Sequence, residues 1–340
     1  MSLLLSPIQI GKLSLKNRIM MSPMGTVSAA EDGKVNEWHL LHYGARALGQ
    51  VGLIMLEVTA VMESGSDRGS LGLWDDDQIP ALRKLVASLH EQGSKVGIQL
   101  WHAGRKTDYA ERAVSASGLP HAGQSSRTLN IEEIEEVVHA FGAAAARAEK
   151  AGVDVIELHA AHGYLLNDFL SVYANRRTDR YGASPQNRYR LLGETIHAVR
   201  NHWSGPLFVR VSADEYGELG NRIEDTIRYA QWMKQQGIDL IDVSSGGVHA
   251  ERPPAVFPGY QVPYAEALRR ETKLPTAAVG LITDGQQAED ILQNGNADLI
   301  AVGRALLRDP FWVRTAAQQL GETLEEPAPY RGMWFGTHAQ

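Results

Sequence analysis

Short apolar runs alternate with amphipathic stretches along almost the whole chain. Eight runs rich in β-branched and other apolar residues are each followed by a stretch in which apolar residues recur at helical spacing. The predicted strands lie at residues 18–22, 52–57, 95–101, 153–158, 207–211, 240–243, 276–279 and 299–302. The predicted helices begin near residues 37, 79, 131, 185, 223, 263, 285 and 310. A doubly wound sheet usually has fewer units, so the pattern predicts an α/β fold, a single (β/α)8 TIM barrel.

Two long connections interrupt this regular pattern, at residues 103–129 after the third strand and at 160–184 after the fourth. Loops at the carboxyl ends of barrel strands usually carry function, so we expect these two to form the walls or lid of a pocket. The second loop contains clustered arginine and tyrosine at 175–182, which we interpret as internal anchors of the loop rather than as solvated surface.

Composition and charge exclude several classes of protein. The 340 residues include 33 lysine and arginine and 40 aspartate and glutamate, for a net charge of −7. Without a basic run, nucleic acid is not an expected partner. No segment reaches the ~18 continuous apolar residues that indicate a membrane-spanning helix, so we expect a cytoplasmic protein without membrane contact. The chain has no cysteine, which excludes disulfides and thiol nucleophiles.

Two histidines and a tyrosine follow the fourth predicted strand: His159, His162 and Tyr164. Because the carboxyl end of a barrel strand is where such enzymes keep their active sites, these three are candidate catalytic residues. The imidazoles can hold a substrate oxygen, and the phenol can donate a proton to the carbon that is reduced. A zinc site is disfavoured by the spacing and the lack of a third ligand nearby, and histidines with a purely structural role remain an alternative.

Glycines at the ends of the seventh and eighth strands indicate a phosphate site. Gly280 and Gly303 allow the main chain to approach an anion closely, and Arg304 follows directly. Ser245, in the glycine-containing turn after the sixth strand, can add a donor. Ordinary turn geometry is the alternative for each glycine. The phosphate can belong to a substrate or to a cofactor.

Two polar side chains inside predicted strands favour the interpretation that the phosphate belongs to a cofactor. Gln99 and Arg210 each lie between apolar residues, and buried polar groups are costly unless they are paired. A planar heterocycle such as the isoalloxazine of FMN satisfies both, and the arginine also stabilises negative charge on the reduced ring. Alternatively, Arg210 pairs with Glu57 or Asp242.

Matching segments along nearly the whole chain resemble the Old Yellow Enzyme family of FMN-dependent ene-reductases, specifically its bacterial, thermophilic-type branch. Besides the histidine and tyrosine segment and the last two strand ends, they lie at residues 15–18, 22–24, 39–52, 97–100, 102–105, 175–181, 187–189 and 207–212.

The resemblance implies roles for these residues. Together with Gly25 and Ser245, the candidate FMN-binding residues are Ser22, Pro23, Met24, Ala60, Gln99, Arg210, Gly280, Gly303 and Arg304. The implied reaction is ping-pong: NADPH, or NADH in its place, reduces FMN and leaves, and an activated alkene then binds in the same pocket. Hydride passes to the β-carbon and Tyr164 protonates the α-carbon, while His159 and His162 hold the carbonyl or nitro oxygen.

The chain departs from this branch after Met24, where relatives usually have a cysteine and, two positions later, a tyrosine. Here those positions are Gly25 and Val27, and Thr26 between them is a candidate substrate contact. We therefore expect a flavin potential and a substrate range that differ from those of relatives.

The C-terminal tail at 321–340 is expected at a subunit interface of a homodimer or homotetramer, within one FMN-binding domain at 1–340. The resemblance implies that Arg331 reaches a neighbouring subunit's site. Two other functions remain open: a lyase or isomerase that binds a substrate phosphate and no flavin, and a flavoprotein oxidase or demethylase with little ene-reductase activity.

Overall fold

Eight parallel strands form the closed barrel that the hydrophobic pattern predicts. The computed structural model describes residues 2–248 and 253–335. The strands are β1 Ile19–Met21, β2 Leu53–Ala60, β3 Lys95–Trp101, β4 Val155–Ala160, β5 Leu207–Ser212, β6 Leu240–Ser244, β7 Thr276–Ala278 and β8 Leu299–Val302. Each pairs with its neighbours in chain order, and β8 pairs with β1. The prediction of a (β/α)8 barrel is confirmed.

The amino-terminal end of the barrel is closed by an antiparallel hairpin with strands Ile8–Ile10 and Leu13–Leu15. Its apolar side chains pack in one cluster with Met20, Met55 and Phe208 of the barrel strands. Because apolar side chains fill this end, the polar side chains of the barrel gather at the opposite, carboxyl end.

Eight longer helices lie against the barrel: α1 Glu37–Leu48, α2 Ile79–Glu91, α3 Ile131–Ala151, α4 Pro185–Arg200, α5 Ile223–Gln235, α6 Val262–Thr272, α7 Gly285–Gln293 and α8 Trp312–Gln319. In α3, the Asn130 side chain accepts from the backbone N–H of Glu133, and Gly152 ends the helix with a φ of 85°, which favours glycine. The helix buries Phe141 on its inner face. None of the helices in the described residues is long and apolar enough to span a bilayer.

Two strands extend two or more residues further than predicted. β2 continues to Ala60, which lies opposite Trp101, and β4 continues to Ala160, which lies opposite Val211. The ladder with neighbouring strands stabilises these extra residues regardless of their polarity. His159 therefore lies within β4 rather than after it.

The two long loops contain short elements of their own. The first contains the paired strands Val114–Ser115 and Arg127–Thr128, and the second contains the helix Leu165–Leu170. Arg177 of the second loop donates to the carbonyl of Ala116 in the first at 2.8 Å. The interpretation of this segment as an anchor is thereby confirmed.

The last predicted helix is α8, which begins two residues later than expected, and a short helix that was not predicted precedes it at Arg304–Arg308. Beyond α8, Trp334 is buried and packs edge-on against Phe311, with ring centroids 5.8 Å apart. Arg331 is exposed in the turn before it. Residues 336–340 of the predicted tail lie outside the described residues.

Candidate active site

One cavity of about 460 Å³ opens at the carboxyl ends of the barrel strands. The predicted site residues that line it are Ser22, Pro23, Met24, Gly25, Gln99, His159, His162, Tyr164, Arg210, Gly303 and Arg304. The predicted residues outside its lining are Thr26, Ala60, Ser245, Gly280 and Arg331. A larger groove of about 860 Å³ lies between α3 and α4 and contains none of the predicted residues.

The two imidazoles are held in defined tautomers. The backbone N–H of Ala161 donates to His159 Nδ1 at 3.2 Å, so the proton of the neutral ring is on Nε2. His159 Nε2 lies 3.4 Å from His162 Nδ1, and His162 Nε2 lies 2.7 Å from Ser244 Oγ. Burial lowers the pKa of both imidazoles well below its usual value, and the charge of Arg210 lowers them further. Both rings are therefore neutral at physiological pH, and each has one N–H to donate.

Tyr164 begins the short helix Leu165–Leu170 and packs edge-on against two rings. Its centroid lies 5.2 Å from that of Trp101 and 4.8 Å from that of His159. Burial raises the pKa of Tyr164, the carboxylate of Asp67 raises it further, and the positive charge of Arg210 opposes both. The side chain is therefore a phenol that retains its proton at neutral pH and can donate it within the cavity.

Beneath the cavity lies a layer of buried polar side chains. Gln99 Nε2 donates to Glu157 Oε1 at 2.8 Å, which orients the amide, and Arg210 Nε lies 3.1 Å from Asp242 Oδ2. Burial raises the pKa of Glu157 well above its usual value, as does the charge of Asp242. The predicted alternative pairing of Arg210 with Asp242 is therefore present, and Arg210 also lines the cavity.

Comparison with known proteins gives the family. A model of the NADH:flavin oxidoreductase / NADH oxidase family matches residues 3–323. The NADPH dehydrogenase of Geobacillus thermodenitrificans is 51% identical over 337 residues, which are 98% of this chain and 99% of that protein. The chain belongs to this family, that of Old Yellow Enzyme. It is a flavin-dependent oxidoreductase, as the resemblance predicted.

Solved structures of other enzymes share the fold. Morphinone reductase, solved also in complex with tetrahydroNAD, is 27% identical with a TM-score of 0.81, over 96% of this chain and 92% of that chain. 2-Naphthoyl-CoA reductase is 26% identical with a TM-score of 0.87, over 94% of this chain. The present chain spans 52% of that longer enzyme.

A buried carboxylate, Glu57, lines the cavity of this Old Yellow Enzyme family member and was not among the predicted site residues. Its oxygens accept from the Thr26 backbone N–H and hydroxyl, both at 2.8 Å, and from the Tyr43 hydroxyl at 3.2 Å. His39 Nε2 lies 3.5 Å from Glu57 Oε1. Burial raises the pKa of Glu57. The network fixes the 22–27 loop, and the only sequence signal for it was a charged residue inside an apolar strand.

The departure from relatives at Gly25 leaves open space. A Cβ placed on Gly25 would meet nothing within 4 Å. Val27 is 71% exposed with a φ of 53°. Thr26 directs its hydroxyl to Glu57, so the structure gives that hydroxyl a structural partner. The predicted role of Thr26 in substrate binding remains a prediction.

The predicted phosphate residues are placed in two groups. Gly303 lies at the cavity, where a Cβ would be 3.5 Å from the Met24 sulfur. Gly280 has a φ of 128°, which a side chain rarely adopts, and lies close to Gln261. The Ser245 hydroxyl donates to the Gln261 side chain and accepts from a tyrosine hydroxyl.

The described residues contain no group of three His, Asp or Glu side chains placed to hold a metal ion.

Proposed function

We propose that the protein is an FMN-dependent NADPH dehydrogenase that reduces the C=C bond of α,β-unsaturated carbonyl or nitro compounds, with Tyr164 as the proton donor. The observation that carries the proposal is the placement of two neutral imidazole donors and one phenol in the same cavity as Gln99 and Arg210. Hydrogen-bond donors and a proton donor on one substrate are what reduction of an activated alkene requires.

The residues at the cavity fit FMN. The Gln99 amide is oriented by Glu157, which leaves its carbonyl oxygen as an acceptor, and Arg210 adds a positive charge. Gly303 presents its main chain to the cavity without a side chain, next to Arg304. We assign the polar edge of the isoalloxazine to Gln99 and Arg210, and the phosphate to the main chain at Gly280 and Gly303 with Arg304.

FMN, when bound, supplies the hydride, which it receives from NADPH. His159 and His162 donate hydrogen bonds to the substrate's carbonyl or nitro oxygen and stabilise the negative charge that develops there. Tyr164 gives its proton to the α-carbon of the alkene. A single pocket serves both NADPH and the alkene, and the complex of morphinone reductase with tetrahydroNAD supports nicotinamide binding by a protein of this fold. NADH can take the place of NADPH, because it carries the same nicotinamide hydride.

We propose that residues 1–340 form one FMN-binding domain and that its tail, from 321 onward, lies at the interface of a homodimer or homotetramer. Large apolar side chains are exposed on α1 and in the tail, with Trp38 at 51%, Leu41 at 73% and Met333 at 79%. Such patches mark protein interfaces. In this assembly Arg331 reaches the partner's site. A monomeric mass by light scattering contradicts the assignment.

The experiment that tests the function is an anaerobic absorbance spectrum of the purified holoprotein, before and after NADPH and then after cyclohexenone or a maleimide. Oxidised-flavin bands that bleach with NADPH and return with the alkene support the proposal. A colourless protein that FMN does not reconstitute favours a phosphate-binding lyase or isomerase. Flavin bands that return with oxygen and not with the alkene favour an oxidase or demethylase.

The proton-donor role has its own test. Tyr164→Phe is expected to leave flavin reduction by NADPH nearly unchanged and to slow reoxidation by the alkene about 10²-fold to 10⁴-fold, since it removes only the acid. Stopped-flow absorbance measures the two half-reactions separately. Equal reoxidation rates in the variant and the wild type refute the assignment.

A further inference from the structure

One lysine joins three loops of the active site. It is not among the predicted site residues, and it does not line the cavity. Lys106 ends the turn Gly104–Lys106 directly after β3. Its Nζ donates to the carbonyl of His162 at 2.8 Å, in the loop after β4. The same atom donates to the carbonyl of Gly247 at 3.2 Å, in the loop after β6. One ammonium therefore links the loops of β3, β4 and β6.

The two carbonyls belong to turns that pack backbone against backbone. His162 has a φ of 60°, a left-handed conformation that is costly for any residue with a side chain. A Cβ on Gly163 would lie 2.7 Å from the Gly247 oxygen, and a Cβ on Gly247 would lie 2.7 Å from His162 Cα. Because the turns are this close, a shift of either one moves the His162 ring. The two hydrogen bonds from Lys106 hold both turns at once.

The same ammonium lies over the proton donor. Lys106 Nζ is 5.0 Å from the centroid of the Tyr164 ring. A cation over the ring attracts the neutral phenol through its quadrupole, and attracts the phenolate more strongly through its full charge. Burial, together with the charge of Arg105 and against the opposing charge of Asp67, lowers the pKa of Lys106 to about 8. Most Lys106 side chains are therefore charged at neutral pH.

We propose that Lys106 is a positioning residue of this active site: its ammonium fixes the His162 and Gly247 turns and favours release of the proton from Tyr164. The inference rests on the proposed function, because it requires that Tyr164 donates a proton to substrate. It concerns the alkene step alone, since hydride transfer from NADPH takes no proton from Tyr164.

The test compares the two half-reactions of the holoprotein by anaerobic stopped-flow, with saturating NADPH and then saturating cyclohexenone. Lys106→Met keeps an unbranched side chain and removes the charge and the donors. Reoxidation by the alkene is expected to slow about 10-fold to 100-fold, and reduction by NADPH less than about 3-fold. Lys106→Arg, which keeps the charge, is expected to restore most of the rate. Lys84→Met, on the exposed face of α2, is the matched control and keeps wild-type rates.

A double variant separates action through Tyr164 from a general structural role. In the Tyr164→Phe background, Lys106→Met is expected to slow reoxidation clearly less than it does in the wild type, because the proton that it assists is already absent and only its hold on the His162 and Gly247 turns remains to be lost. Full additivity overturns the inference, as does a Lys106→Met variant that reoxidises at the wild-type rate. A wild-type protein that NADPH reduces but no alkene reoxidises refutes the proposed function itself, which is a different outcome.

Discussion

A buried carboxyl behind the active-site loops makes the stability of this protein depend on pH. Glu215 lies in the loop after β5 and is fully buried. It accepts hydrogen bonds from the Ser171 hydroxyl at 2.7 Å, the Asn221 N–H at 3.0 Å and the Asn167 amide at 3.2 Å. Burial nevertheless raises the pKa of Glu215 from its ordinary value of 4.5 to about 7. The desolvation of the charged form outweighs the three hydrogen bonds.

The size and the sign of the effect follow from this pKa. A rise of about 2.5 pH units, at about 1.36 kcal/mol per unit, corresponds to roughly 3 kcal/mol. Because the pKa in the folded protein is the higher one, the carboxyl's contribution to stability is fully present below pH 4.5 and is lost as pH rises through about 7. Glu215→Gln cannot ionise. The free energy of unfolding of the wild type should therefore fall by roughly 3 kcal/mol, relative to that of this variant, as the pH rises over that range.

Urea unfolding of both holoproteins, followed by far-UV circular dichroism between about pH 5 and about pH 8, measures the difference. Any fixed cost of the amide cancels, because only the change with pH is compared. Glu224→Gln, at an exposed acid in the first turn of α5, is the control and should follow the wild type. Parallel stability curves for Glu215→Gln and the wild type would show that the carboxyl does not titrate in this range, and would refute the reasoning.

Three further predictions concern single side chains. Gly25→Cys is expected to shift the reduction potential of the bound flavin, because a thiol then fills open space in the cavity wall, and an unchanged potential in an anaerobic redox titration contradicts this. Gly49→Ala is expected to destabilise the protein by about 1 to 3 kcal/mol in urea, since its Cβ would lie 2.1 Å from the Pro310 oxygen. Gly44→Ala, within the helix α1 that Gly49 caps, has nothing within 4 Å of its Cβ and is expected to be neutral or stabilising; equal losses would disprove the steric cause. Phe141→Ala should cost about 3 to 5 kcal/mol by the same assay, and a loss below about 1 kcal/mol would mean that the α3 core collapses around the cavity.

The barrel could be predicted from sequence because buried parallel strands are apolar along their whole length and repeat with a regular spacing. The ends of β3 and β8 were also predicted, whereas those of β2 and β4 were not. β4 continues through His159 because its backbone pairs with that of Arg210, and a hydrogen-bonded ladder leaves no trace in side-chain polarity. The short helix Arg304–Arg308 was not predicted either, since it depends on how the chain packs after β8.

The residues of the site also fall into two groups, those that could be predicted from the sequence and those that could not. His159, His162 and Tyr164 were visible because they are close together in sequence, and their catalytic roles stay a prediction. The partners of Glu57 were not visible, because Thr26 lies 31 residues away and joins it only when β2 stands beside the end of β1. Lys106 is separated from His162 by 56 residues and has an ordinary sequence context. Contacts between loops of different strands form only once those strands are paired.

Closure of the barrel sets the order in which the chain can mature during synthesis. β1 finds one of its two partners in β2, but the other is β8, so Ile19 must wait for Ile300. Until the ribosome has released nearly the whole chain, β1 and the latest strand each expose an unpaired edge, which is a template for association with other chains. Nascent chains stalled before β8 are therefore expected to need chaperone protection, while those released after it complete the barrel and hide both edges.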